Sequence, residues 1–245
     1  MVFAQSDEYR VEPEGKLHAF CHAVPGKWHL MGVMLSAAGS FQWYKNNLGD
    51  FESKLEEEGA GAAFDILTRI AGTIKPGSDG LIFLPYLSGE RPPYPDPYAR
   101  GCFIGLSLRH KKEHLSRSVL EGVSFGLNDS LRLIKKLGIH PEEVQLSGGG
   151  TKSTLWKQML ADIFDAPCTM VNAREGAAYG AALLASVGSG QFEDVETACR
   201  IWIRNTETIE PGQNAKIYQK NYSIYRGLYP KLKEAFGQIA SLEDH

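Results

Sequence analysis

Between residues 143 and 186 the chain alternates twice between a short apolar run and a longer helical pattern. A strand at 143–146 leads to a helix at 152–164, then a strand at 168–171 and a helix at 174–186. Strands alternating with helices of this size build crossover units on a partly parallel sheet. The fold class is therefore α/β.

The upstream pattern is compatible with that class. Strands are expected at 2–4 and 17–23, separated by a polar turn at 12–15. A helix over 29–47 is rich in small residues (Gly32, Ser36, Ala37, Ala38, Gly39) and can approach another backbone or a ligand closely. A second helix, 51–74, opens on Glu52, Glu56, Glu57 and Glu58, which suits the positive end of a helix dipole. A strand at 81–84 precedes a turn-rich stretch, 85–100. The helix at 114–137 sets Leu115, Val119, Val123, Leu127 and Leu131 on one core stripe and stops at Gly138. A long amphipathic helix at 215–240, interrupted near Gly227 and Pro230, closes the chain. There is no internal repeat or low-complexity segment.

Bulk properties exclude several functions. An apolar fraction of 43% over 245 residues supports a proper core. A net charge of −3 leaves no footprint for nucleic acid, and the one basic run, Arg109–Lys112, reads as a solvated turn. No apolar run reaches bilayer length, and the charged start of the chain does not read as a secretory leader. Cys21, Cys102, Cys168 and Cys199 are far apart, as expected of reduced thiols in a cytoplasmic protein.

The most chemically suggestive segment runs from strand to helix through Ser147-Gly148-Gly149-Gly150-Thr151-Lys152-Ser153. Glycine lets a ligand come close to the backbone, and the helix start presents unpaired N–H groups. A phosphate or the sugar of a nucleotide fits such a surface, although a tight, closely packed turn explains it equally well. Lys152 lacks the preceding glycine of a Walker loop, and the glycine spacing is not that of the dinucleotide fingerprint.

Two further segments join it. Residues 101–106 (Gly-Cys-Phe-Ile-Gly-Leu), a spacer, and 114–121 (His-Leu-Ser-Arg-Ser-Val-Leu-Glu) resemble the second signature of the FGGY carbohydrate kinases. Residues 83–91 (Phe-Leu-Pro-Tyr-Leu-Ser-Gly-Glu-Arg), together with 18–23 and 28–31, resemble the family's xylulokinase branch. The glycine turn, continuing through Trp156, Gln158, Met159, Ala161 and Asp162, is similar to the family's adenosine-binding motif. The resemblance implies a ribonuclease-H-like lobe of the actin and hexokinase type, with a mixed sheet flanked by helices. It implies transfer of the γ-phosphoryl of ATP, with Mg2+ held mainly through the nucleotide phosphates, to a sugar hydroxyl. Nucleotide contacts carried over are Gly148, Gly149, Gly150 and Ser153 at the turn, with Gln42 and Ala38 on the small-residue helix. Ala38 is the weaker match, since a related branch has glycine there, and turn-shaping alone would account for Gly150.

On that resemblance residues 1–245 form a single C-terminal lobe, and no catalytic residue is assigned within it. The aspartate that accepts the sugar's proton and the Gly-Thr-Ser-Gly phosphate loop are expected in a preceding lobe, so this chain alone is expected to be inactive. D-xylulose is the expected acceptor, with glycerol, gluconate or ribulose as alternatives. A non-catalytic nucleotide-binding or assembly module of the same fold is the rival reading, and a homodimer is left open. No metal site is assigned to the protein: His18, Cys21, His22 and His29 read as strand and turn packing. The Glu90-Arg91 pair reads equally as a cleft-facing pair or a surface ion pair, Asp96 and Arg100 as loop-ordering charges, and Glu175 as a dipole partner.

Overall fold

The computed structural model describes residues 1–173 and 176–242. The chain opens with an antiparallel sheet of β1 (Val2–Ser6), β2 (His18–Cys21) and β3 (Trp28–Gly32), in the order β1-β3-β2, with Phe3 and His18 both opposite Met31. The expected helix over 29–47 is thus corrected: its first residues are β3, and α1 spans Ala37–Leu48. Residues 28–32 follow a period of two that buries Leu30 and Gly32. A Cβ at Gly32 would lie 2.4 Å from the Ser130 side chain, so only glycine lets the sheet come this near. His29 packs against Phe3, Phe20 and His22, with ring centroids 5.4–5.9 Å apart.

The expected helix over 51–74 is two helices, α2 (Asp50–Glu57) and α3 (Ala63–Ala71). Gly59 and Gly61, at φ +79 and +118, take the chain through a left-handed break that no helix can contain. Next come β4 (Ile82–Leu84) and its antiparallel partner β5 (Cys102–Ile104), a strand unmarked in the sequence reading.

Then α4 (Lys112–Lys136) runs through the centre of the molecule. It is more than an amphipathic helix: besides Val119, Val123 and Leu131 it buries Ser116, Arg117, Glu121, Ser124 and Asp129. Glu121 accepts from Arg117 Nε (2.7 Å), Gly77 N–H (2.8 Å) and Ser78 Oγ (2.9 Å). Arg117 also donates to the carbonyls of Ala71 (3.3 Å) and Ile74 (2.8 Å), answering the open C-terminal end of α3.

The crossover units follow. β6 (Val144–Leu146) enters a single 3-10 turn over Gly149–Lys152 before α5 (Thr154–Phe164), so the helix expected from 152 starts two residues later. β7 (Cys168–Val171) lies parallel to β6. Beyond α6 (Gly176–Gly188) come two elements unmarked in the sequence reading, α7 (Val195–Trp202) and β8 (Asn205–Ile209), which pairs antiparallel with β7. The sheet is mixed. Arg174 and Glu175, and with them the dipole reading of Glu175, lie outside the described residues.

The last helix, α8 (Ala215–Ala240), passes through Gly227 and Pro230 without the expected interruption. Its buried tyrosines explain this, since they dock the helix on both sides of Gly227. Tyr218 accepts from Arg117 (2.7 Å), Tyr222 donates to Asp129 (2.6 Å), Tyr225 accepts from Tyr86 (3.3 Å) and Tyr229 donates to Asp96 (2.7 Å). Tertiary anchoring here outweighs the local penalty of proline. Among the described residues no helix is long and apolar enough to cross a membrane.

Removing one member of the buried pair leaves the other charged in a dry site. Arg117→Met is expected to cost about 3–5 kcal/mol of stability, read by urea unfolding. A loss below about 1 kcal/mol, the range of exposed pairs, would contradict this account.

Candidate functional site

The glycine turn is shaped by three local devices. Gly148 sits at φ +96, where an L side chain is strained, and lets the strand reverse into the 3-10 turn. Thr151 closes that turn by donating from both its N–H (3.1 Å) and its hydroxyl (2.7 Å) to the Gly148 carbonyl. Ser153 then caps α5, its hydroxyl accepting from Trp156 N–H at 3.2 Å. Gly150 has a packing reason of its own: a Cβ there would lie 2.9 Å from the Trp156 ring. Gly149 differs, because a Cβ there would meet nothing within 4 Å. Its Cα therefore faces open space on that side.

That space is a cleft of about 510 Å3 between the turn, α1 and α3. α1 contributes Ala38, Gly39, Phe41 and Gln42; α3 contributes Phe64, Asp65 and Thr68; the turn contributes Gly149, Gly150, Lys152 and Ser153, with Trp156 behind. Five of the six residues singled out in the sequence therefore meet at one cleft: Ala38, Gln42, Gly149, Gly150 and Ser153. Gly148 is not on its wall, and its part is to set the turn. The α3 wall carried no sequence signal, and Lys152, within the glycine-turn segment, was not assigned as a contact. An aspartate and a threonine that follow Phe64 on a helix are ordinary surface chemistry until the fold brings them opposite the turn.

The floor of the cleft is apolar and braced. Phe41 meets Trp156 edge to face at 6.0 Å and Phe64 at 5.6 Å, while Trp156 Nε1 donates to Ser124 Oγ of α4 at 3.0 Å. A volume of this size, mostly apolar with a few convergent polar groups, is typical of a small-molecule site.

Residues 1–189 match the profile of the C-terminal domain of the FGGY family of carbohydrate kinases. The chain belongs to that family. It is 35% identical over 230 residues to the xylulose kinase of Staphylococcus epidermidis, an alignment covering 94% of this chain and 44% of the relative. Among solved structures it superposes on a ligand-bound xylulose kinase from Lactobacillus acidophilus with a TM-score of 0.84 at 27% identity, covering 97% of this chain and 46% of that one. A gluconate kinase from the same organism gives 0.83, also at 27%, with 97% and 46% covered. The chain spans about half the length of these proteins. Its fold is the ribonuclease-H-like, actin-type lobe of FGGY kinases.

In this FGGY domain the entry to α1 is held by Glu90. Its Oε1 accepts from Leu35 N–H (3.1 Å) and Arg91 N–H (2.8 Å), and Ser88 and Ser36 share a hydroxyl contact at 3.1 Å beside it. Glu90 and Arg91 form no ion pair with each other: the carboxyl is buried at 4% exposure and the guanidinium lies in solvent. Asp96 orders the same loop, accepting from Tyr98 N–H (2.8 Å) as well as from Tyr229. Burial pushes the Glu90 carboxyl up to about 7, against the pull of its two N–H donors. It pushes Asp129 up to about 6, against the Tyr222 hydroxyl.

Both folded carboxyls thus hold their protons more tightly than an unfolded chain does. Their contribution to stability is complete below the unfolded range near pH 4 and is lost as pH rises through 6 to 7. Resistance to urea should fall between pH 5 and pH 8, and Glu90→Gln should flatten that slope by on the order of 2 kcal/mol. An unchanged slope in the folded variant would refute the assignment to Glu90.

Proposed function

We propose that this chain is the nucleotide-binding half of a cytoplasmic ATP-dependent sugar kinase whose acceptor is D-xylulose, giving D-xylulose 5-phosphate. The observation that carries the reading is the convergence of Ala38 and Gln42 with Gly149, Gly150 and Ser153 on one cleft. Two segments distant in sequence, singled out for the same ligand, form facing walls.

The residues present fit an adenine nucleoside. Phe41, Phe64 and Trp156 offer an apolar seat for a base. Gly39 and Gly149 leave room for close approach on either side, since a Cβ at each would meet nothing within 4 Å. Gln42 and Asp65 are placed to bond ribose hydroxyls. Asp65 is the one carboxylate of this cleft among the described residues, and Lys152 the one cation. The triphosphate therefore extends out of the cleft, towards a phosphate loop that this reading places outside residues 1–245. Bound ATP supplies the phosphoryl group, with Mg2+ neutralising its charge through the phosphates. What these residues contribute is orientation of the nucleoside, and the sugar's proton acceptor is assigned to the other half of the enzyme.

Gluconate is the second reading for the acceptor, because the gluconate kinase superposes as closely as the xylulose kinase. A non-catalytic module would bind nucleotide equally well, and the acceptor assay on a complete enzyme separates it.

Calorimetric titration with AMP, ADP and ATP is expected to show weak binding of all three, within about tenfold of one another, because the contacts made are to adenosine. Gly149→Val puts a side chain into the open cleft and should abolish binding while circular dichroism stays native. A strong preference for ATP over AMP, or AMP binding undiminished in the folded variant, would overturn the placement. In a coupled ADP-release assay the 245-residue chain alone should show no D-xylulose-dependent turnover; clear turnover would refute the two-half reading.

A further inference from the structure

A second cavity of about 430 Å3 opens where the C-terminal ends of α4 and α5 meet the start of α8. α4 lines it with Asn128, Arg132, Lys135 and Lys136, which share one face at intervals of four, seven and eight residues. Phe164 and Asp165 at the end of α5, and Gln219 and Tyr222 of α8, complete the wall.

Three cations meet one carboxylate here. Lys135 donates to the Phe164 carbonyl at 3.4 Å, answering the carbonyl end of α5, and Lys136 offsets the end of its own helix. Arg132 is surplus to both needs. Its guanidinium lies 5.6 Å from the Tyr222 ring centre, which fixes its direction, and it feels the Asp129 carboxyl only at a distance. Among the described residues none of the three cations is in an ion pair. The Asp165 carboxylate is engaged by Gln219 Nε2 at 3.4 Å.

Asn128 is the independent observation. It is 6% exposed, yet its carboxamide bonds to no described residue, and it lines this cavity. Its amide is not among the polar atoms shut off from solvent, so what little of the residue is exposed opens onto the cavity. Its vacant donors and acceptor are matched by hydroxyl groups, as the cations are matched by a phosphate.

We propose that this cavity binds a small phosphorylated polyol of the sugar-phosphate class. Arg132 and Lys136 hold the phosphate, and Asn128 and Gln219 bond the hydroxyls. The site is separate from the nucleotide cleft: it lies at the opposite end of α5, about 16 Å away by the rise of an eleven-residue helix.

The test is calorimetric titration of the 245-residue chain with D-glucose 6-phosphate, inorganic phosphate and D-glucose, each with AMP present. One site is expected for glucose 6-phosphate, tighter than for inorganic phosphate, with no binding of glucose. Arg132→Gln and Lys136→Gln should each weaken it by roughly tenfold, the scale of one charge-assisted contact. Lys136 is exposed, so its variant keeps the test valid if Arg132→Gln, which loses the Tyr222 contact, unfolds. Gly149→Val should leave this binding unchanged even where it abolishes that of AMP, so the two sites stand or fall separately. No binding of glucose 6-phosphate, affinity no better than for inorganic phosphate, or affinity unaffected by Lys136→Gln would overturn the proposal.

Discussion

Arg117 and Glu121 form an ion pair inside the first half of α4, where each charge has lost most of its water. Such a pair is stabilising only if the remaining hydrogen-bonding capacity of both partners is used. Here it is used on the carbonyl that ends α3 (Ala71), on that of Ile74 just beyond it, and on the N–H and hydroxyl of a turn whose residues Gly77 and Ser78 both have positive φ. The turn owes its shape to the carboxylate, and the carboxylate its charge to the turn and the arginine. Since α3 is one wall of the cleft, this pair also sets how far Phe64, Asp65 and Thr68 stand from the glycine turn.

The remaining walls depend on the same helix through close approach. A Cβ at Gly122 would lie 2.3 Å from the Phe83 carbonyl, and one at Gly126 3.0 Å from the Met34 side chain. These contacts draw β4 and the lead into α1 against α4. Ser124, on the same helix, receives the Trp156 indole N–H. α1, α3 and α5 therefore converge because each is referenced to α4. On its other side α4 carries the tyrosines of α8, whose hydroxyls are satisfied by Arg117 and Asp129.

What the sequence made legible was the chemistry that is local in the chain. Three glycines between a strand and a helix state their turn directly, and β6, β7 and α5 follow from period and length. For α1 the run of small residues allowed close approach of a ligand, but only the resemblance picked out Ala38 and Gln42, which have no chemistry that announces one. The α3 wall was not legible, since its position comes from Arg117 and the 75–80 turn. β8 was missed because Asn205, Thr206, Glu207 and Thr208 form an exposed edge strand with no apolar alternation. β3 was misread because Trp28–Gly32 joins a small-residue run at Ser36 with no proline between, and the strand stops where its pairing with β1 ends, at Gly32 opposite Val2.

α5 gives the cleft its character and its limits. At its start Ser153 caps the helix and Trp156 closes the cleft floor; at its end Phe164 offers its carbonyl to Lys135. The charges are distributed unevenly between the two ends. The cleft has one cation and one carboxylate, and the far cavity three cations and one carboxylate. A helix start supplies free N–H groups and a partial positive charge, which serve a nucleoside's hydroxyls and a phosphate alike. A helix end supplies carbonyls, so any anion held there must be met by side-chain cations beyond those the carbonyls already engage. The surplus Arg132 is what distinguishes the second cavity from an ordinary pair of neutralised helix ends.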